Sequence, residues 1–223
     1  MRLARQCAAL LAALSLALPM FAQFGGPRMS GMNGVFHPVV GQGAAYQMQD
    51  RNGSPQTMEF AVVGKEDFQG QTGYWIELSF QDSRRGGEMV MKTLQVMEGP
   101  NPGPKRMITL MNGQAYEFPM NSPMMAGRMG QNAPHDITGD KSFTDLGTET
   151  ITVPAGTFVC HHYKSADGDA WVTDKISPWG LVKSVSKDSS MVLVRQITDA
   201  KTKITGPVKP FDPSAFGGGQ RPN

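Results

Sequence analysis

Short runs of alternating apolar and polar residues, broken roughly every 8 to 12 residues by Gly, Pro, Asn or Asp, extend through this chain from Ala44 to Thr198. Side chains of a strand alternate between faces, so this period writes half-buried strands and leaves little room for helix. Ala44 to Asp50 leads into Asn52-Gly53, a dipeptide suited to the twisted two-residue hairpin turn, and Thr57 to Gly64 returns. Tyr74 to Phe80 follows, then a turn at Arg84 to Gly87, then Glu88 to Met97. Gly99 to Pro104 breaks the ladder, and Met107 to Met111 resumes it up to Asn112-Gly113. The second half repeats the pattern: Phe143 to Val153, a turn at Pro154-Ala155-Gly156, Thr157 to Lys164, a turn at Asp167-Gly168, then Ala170 to Thr173. Leu181 to Lys187 and Ser190 to Thr198 make a closing hairpin. The pattern predicts an all-β domain over residues 41–208, a curved antiparallel sheet forming a half-barrel or barrel of about ten strands, with one or two short helices. One helix is expected inside an insertion at 118–135, where Ser122 suits the N-cap and Pro123 the first helical position, ending before Asn132-Ala133-Pro134.

The ends of the chain read differently. Arg2 and Arg5 precede the apolar run Ala8 to Leu18 and then Pro19-Met20-Phe21-Ala22, the layout of a secretory signal peptide over residues 1–22 with cleavage near Ala22. That run is too short to span a bilayer, so the mature chain is expected to be periplasmic or secreted with no transmembrane segment. Cleavage removes two of the 21 basic side chains and leaves the 19 acidic ones matched, so the mature protein is neutral and nucleic acid is not an expected partner. It also removes Cys7, leaving Cys160 without a disulfide partner; a small residue in a strand is expected in the core. Residues 23–40, rich in Gly, Met and Pro, read as a flexible leader, and 209–223 as a disordered tail.

Of the sixteen methionines, only Met1 and Met20 fall in the signal peptide. Strand parity puts Met89 with Met91 and Met107 with Met111, Met58 in step with Phe60 and Val62, and Met48 with Tyr46. Several strands would thus present thioethers to one surface. Unbranched methionine adapts its shape, so that surface suits either an irregular core or a concave site for an apolar or amphipathic, lipid-like ligand, with Met124 and Met125 over it. A second reading makes sulfur a ligand: Met120, Met124, Met125 and Met129, with Met29 and Met32 in the leader and His162 on a strand, offer soft donors of the kind that select Cu(I) or Ag(I). A third is a structural or interaction module without a small ligand. His37 and His135 are expected in loops as ordinary polar residues.

Catalytic motifs are absent. There is no G-x-S-x-G, H-E-x-x-H, P-loop, C-x-x-C or G-x-G-x-x-G, and Asp167-Gly168-Asp169 lacks the remaining ligands of a calcium loop. The chain is therefore read as non-enzymatic, with no cofactor; a glycan hydrolase would need two acidic side chains facing across a groove.

Val153-Pro154-Ala155-Gly156-Thr157-Phe158, Cys160, Tyr163, Trp171-Val172-Thr173-Asp174 and Pro178-Trp179-Gly180-Leu181-Val182-Lys183 resemble a pattern of uncharacterised exported bacterial β-domains. There a P-A-G-T-F turn joins two strands, a tryptophan-bearing strand follows, and a P-x-G-L-V-K segment leads into the next. At fold level such domains are similar to periplasmic lipoprotein carriers of the LolA/LolB kind, which implies a curved sheet around a hydrophobic cavity covered by short helices. Here Ser122 to Gln131 is the one segment suited to be a lid, and Trp75, Trp171 and Trp179 are candidates for the cavity mouth.

Overall fold

A computed structural model describes residues 33–50, 55–82, 87–120, 135–137 and 139–212. The strands are β1 (Asn33–Gly34), β2 (Gly43–Asp50), β3 (Pro55–Phe68), β4 (Gln71–Asp82), β5 (Gly87–Val96), β6 (Gly103–Met111) and β7 (Gln114–Phe118). They continue as β8 (His135–Asp136), β9 (Thr144–Val153), β10 (Gly156–Lys164), β11 (Gly168–Val172), β12 (Leu181–Ser186), β13 (Ser189–Ile197) and β14 (Val208–Pro210). Among the described residues, twelve strands form one curved sheet in the order β14-β7-β6-β5-β4-β3-β2-β13-β12-β11-β10-β9, and β1 pairs with β8 apart from it. The sheet is open, with β14 and β9 at its edges, so the half-barrel alternative holds and the closed barrel does not. None of the described residues is helical, so none forms a helix able to cross a membrane; the helix expected at Ser122 to Gln131 lies outside them.

Within the twelve-stranded sheet neighbouring strands are antiparallel except for the short β14–β7 pair, and the separate β1–β8 pair is parallel as well. Several of the expected turns do the joining, while Asn52-Gly53 and Arg84 to Gly86 lie outside the described residues and β3 turns into β4 at Gln69-Gly70, which the sequence reading did not anticipate. Asn112 and Gly113 both take positive φ, 51° and 77°, the geometry in which a two-residue turn matches strand twist, and they connect β6 to β7. Pro154-Ala155 joins β9 to β10, and the tryptophan-bearing β11 and then β12 follow as neighbours.

Register fixes which side chains share a face. One row runs Leu193, Tyr46, Met58, Phe80, Met89 across five strands, and the next runs Ala44, Phe60, Leu78, Met91. These residues belong to the larger core cluster or pack against it, with Met58 fully buried and Met48 8% exposed beside its register partner Met191. The opposite face carries a smaller cluster of Trp75, Val90, Leu94, Ile108 and Ala115.

Irregular chain covers both faces. On the first, Val35 and Phe36 and the loop bearing Ile176 and Trp179 pack against the main cluster. Val35 N–H donates to Trp179 O at 2.8 Å and His37 N–H to Pro178 O at 2.7 Å. A Cβ on Gly34 would lie 2.0 Å from Trp179 O, so this approach admits only glycine. Gly180 ends the loop at φ +65°, where a Cβ would meet Thr173 O at 2.6 Å. Residues 33–40, read from sequence as part of a flexible leader, are therefore fitted to the domain. On the second face the segment after β13 crosses the sheet. Thr202 Oγ1 donates to Glu77 Oε2 at 2.6 Å, Lys203 N–H to Glu77 Oε1 at 2.9 Å, and Ile204 sinks into the smaller cluster. The beginning of the expected tail is likewise fixed: β14 pairs with β7, and the Phe211 ring stacks on Phe118 at 4.1 Å.

If the methionine face is core, truncation should cost in proportion to burial. Met58→Ala is expected to lower the unfolding free energy by about 2–5 kcal/mol. Met111→Ala, half-buried on the same face, should cost clearly less. Equal losses in urea unfolding would show that burial does not rank these side chains.

Candidate functional site

The register brings Met48, Met58, Met89, Met91, Met107 and Met111 to one face, along with Met191. Met48, Met58, Met107 and Met191 are buried and Met89, Met91 and Met111 half-buried. Tyr46, from the same rows, donates its hydroxyl to Leu181 O at 2.8 Å, and burial holds that phenol protonated far above its ordinary range. Met48, Met58, Met89, Met91 and Met191 thus sit in or against the main core cluster, while Met124, Met125 and Met129 lie outside the described residues.

The soft-metal set is spread out. Met120, half-buried just past β7, and His162 on β10 stand nine positions apart in the strand order. Both His162 ring nitrogens face carboxylates: Nε2 lies 2.8 Å from Asp169 Oδ1 on β11 and Nδ1 3.4 Å from Glu149 Oε2 on β9. The ring stacks on Trp171 at 4.4 Å, and Trp171 Nε1 donates to the same Glu149 oxygen at 2.8 Å. Hydrogen bonding from His162, reinforced by Lys164, holds the Asp169 carboxyl below its usual range. Among the described residues no three His, Cys, Asp or Glu side chains group as a metal site. His37 sits in the covering loop, whereas His135 is in β8, not in a loop.

The tryptophans do not share a mouth. Trp179 is in the main core, Trp75 is on the opposite face between the Lys92 and Arg106 cations at 5.2 Å each, and Trp171 lies near the β9 edge. Arg106 in turn forks onto Glu117, at 2.6 and 3.1 Å, and reaches Glu66 at 3.0 Å, which binds that side of the sheet together. A small cavity of about 190 Å³ lies beneath the crossing segment, against Glu59, Glu77, Ser79 and Lys203. Lys203 Nζ contacts Glu88 at 2.5 Å, Ser79 at 2.8 Å and Glu59 at 3.2 Å, so the polar groups there are engaged with one another.

A roomier depression lies at the other end of the sheet. A groove of about 410 Å³ is bounded by Thr148 of β9, Val159, His161 and Tyr163 of β10, Val172 of β11, and Val35 and Lys175 from the covering loops. Val159 is 60% exposed although it sits in mid-strand. His161 Nδ1 lies 3.2 Å from Asp145 Oδ2, and its ring stacks on Tyr163 at 6.1 Å. The surface therefore combines apolar side chains with an aromatic pair, threonine hydroxyls and charges of both signs. Sequence reading missed it because the groove joins Val35 to residues more than a hundred positions away; only the alternating Thr and Val of β9 and β10 hinted at a half-covered strand pair.

No protein-family model matches the chain, and no curated protein does. Among solved structures, a Bacteroides fragilis protein described as exported with a YmcC-like fold is 15% identical over 73% of this chain and 99% of that one, at a TM-score of 0.35. A Parabacteroides distasonis protein described as a lipoprotein is 16% identical over 73% and 98%, at a TM-score of 0.34. The reading of the site rests on its own geometry.

Cys160, between Val159 and His161 on β10 and itself among the residues bounding the groove, is buried, and burial reinforced by the Glu149 charge pushes its thiol up to about 11. The thiol is then protonated until the pH nears that value. Native protein should resist iodoacetamide at about pH 8.5, where an ordinary thiol is half ionised. Unfolding in urea should expose it to complete labelling; rapid labelling without urea would show the thiol open to the groove.

Proposed function

We propose that the protein is a non-catalytic module of the cell envelope, exported by its signal sequence, that binds an amphipathic ligand in the groove bounded by β9, β10 and β11. The observation that carries this is the groove's mixed wall: Val159, Val172 and the Tyr163 ring beside Thr148, His161 and Lys175. An apolar body with a few placed polar groups is the general form of a ligand site. The methionine face is a weaker place for the ligand, since Met58 and Met107 are already packed in the protein's interior. Methionine there serves shape, filling a core closed by irregular loops.

Two features favour binding over chemistry. Of the carboxylates near the groove, Asp145 is held by His161 and the Gly147 amide and Glu149 by Trp171 and His162, which leaves Asp174 on the rim as a single exposed carboxylate. Among the described residues that bound the groove, no hydroxyl or thiol is hydrogen-bonded to a base, as an activated nucleophile requires, and the Cys160 thiol is buried with its ionisation suppressed.

Mass spectrometry under native conditions, on protein purified from its own envelope, tests this. Wild-type protein is expected to carry a ligand mass that Val159→Asp loses while keeping its unfolding midpoint. Retention of the same mass by Val159→Asp, with its loss on Met91→Asp, would move the site to the methionine face.

A further inference from the structure

We propose that the outer edge of β9 docks an extended polypeptide with alternating basic and apolar side chains, which joins the sheet as a further strand with its apolar side chains bordering the groove. This rests on the reading of the groove as the ligand site, and it names the ligand's class.

The two sheet edges differ. β14 is three residues long and ends in Pro210, and its entry is fixed by Gln114 Nε2 donating to Pro207 O at 2.8 Å; short, proline-bearing edges resist pairing. β9 is ten residues long, with neither Pro nor Lys, and from Thr144 to Thr150 every residue is exposed. Besides the charges of Asp145 and Glu149 its protective device is a bulge: His161 pairs with Thr148 but Tyr163 with Asp145, so Leu146 and Gly147 stand out of register. Beyond it, Thr148 to Val153 runs regularly, a span of about 20 Å.

Which peptide groups face outward follows from the ladder. In an antiparallel pair hydrogen-bonded and non-hydrogen-bonded positions alternate, and a two-residue turn is closed by a hydrogen-bonded pair, here Val153 with Gly156. Thr152 and Thr157 are then a non-hydrogen-bonded pair, whose side chains approach more closely, in keeping with their hydroxyl contact at 3.0 Å. Thr148, Thr150 and Thr152 therefore turn their N–H and C=O groups away from β10, and among the described residues no strand pairs with them. An added strand would satisfy them, the mode by which extended peptides complete sheet edges.

Charge selects the occupant. β9 carries Asp145 and Glu149 and no basic residue. A second copy of this chain, paired through all three threonines, would set Glu149 diagonally next to its own counterpart, which is unfavourable. A partner with Lys or Arg on the Glu149 face meets that carboxylate instead. Its alternate side chains fall on the Thr148 face, beside Val159 and the groove, where apolar groups find cover.

The test uses the mature protein with a capped peptide of four Lys-Val repeats, its backbone N-methylated form, and a Glu-Val counterpart. Expected is binding of the Lys-Val peptide with about tenfold or greater slowing of amide exchange at Thr148, Thr150 and Thr152, and none for the other two peptides. Thr150→Pro removes an outward N–H that β10 does not use, so it should leave the unfolding midpoint in place and weaken peptide binding about tenfold or more. Lack of protection at saturating Lys-Val peptide, or binding indifferent to N-methylation and to Thr150→Pro, overturns the proposal. Phosphatidylglycerol vesicles separate the two readings. Vesicle binding lost in Val159→Asp but kept in Thr150→Pro overturns the polypeptide and leaves the amphipathic site standing, whereas failure of both probes overturns both. A dimer in sedimentation that Thr150→Pro disperses makes the edge a self-interface and also overturns it.

Discussion

An open sheet has two faces to shield, and here, among the described residues, irregular chain and not helix does the shielding. Irregular chain brings peptide groups that lack a ladder of their own, and each needs a partner once buried. The structure solves this by hooking loops onto one another and onto buried side chains. On the methionine face Val35, His37 and Thr173 donate their N–H groups to Trp179, Pro178 and Gly180 carbonyls, and Val39 N–H to the Ser177 hydroxyl. On the other face the buried Glu77 carboxylate takes the Lys203 amide and the Thr202 hydroxyl, and Ile204 is held in the smaller core as a result. A buried carboxylate is costly unless hydrogen-bonded, so Glu77 ties the crossing segment to β4 as firmly as it is itself satisfied by it.

The abundance of methionine follows from that arrangement. A helix presents a regular stripe to a sheet; a loop does not, and the gaps it leaves vary along its length. Met48, Met58 and Met191 lie where β2, β3 and β13 meet, in a cluster closed by Phe36, Ile176 and Trp179 from such loops. An unbranched thioether fills uneven space with less strain than a β-branched side chain. The two readings weighed for this surface are thus unequal once its cover is known, and its cover comes from segments with no apolar period.

That is also where sequence reading stops. Strands bounded by strong turn residues, such as β2, β5 and β9 to β13, are legible because alternation and turn chemistry agree. β7 was within reach, since Asn112-Gly113 is as good a hairpin turn as any in the chain and Tyr116 and Phe118 alternate after it. β14 and the docking of 33–40 were not, because Val208-Lys209-Pro210 has no period and the fit of Gly34 to Trp179 is made between residues far apart in the chain. Parity correctly groups the methionines on a face, but it is silent on what lies over that face, and cover decides between pocket and core. The groove is invisible for the same reason.

The β9 edge then poses a question of rigidity. A strand with seven successive exposed residues and one neighbour would ordinarily fray. Here it is pinned through side chains on both faces. Asp145 meets His161 on one; on the other Glu149 binds Trp171 and His162, and His162 continues to Asp169. Lys183 completes the stack, 4.8 Å over the Trp171 ring, so β9, β10, β11 and β12 are linked across the sheet by one chain of polar and aromatic contacts. Exposed ion pairs contribute little singly, but a connected set restrains geometry. An edge held in place in this way has already lost the conformational freedom that binding would otherwise remove, and preorganisation of that kind is what separates a docking strand from an untidy margin.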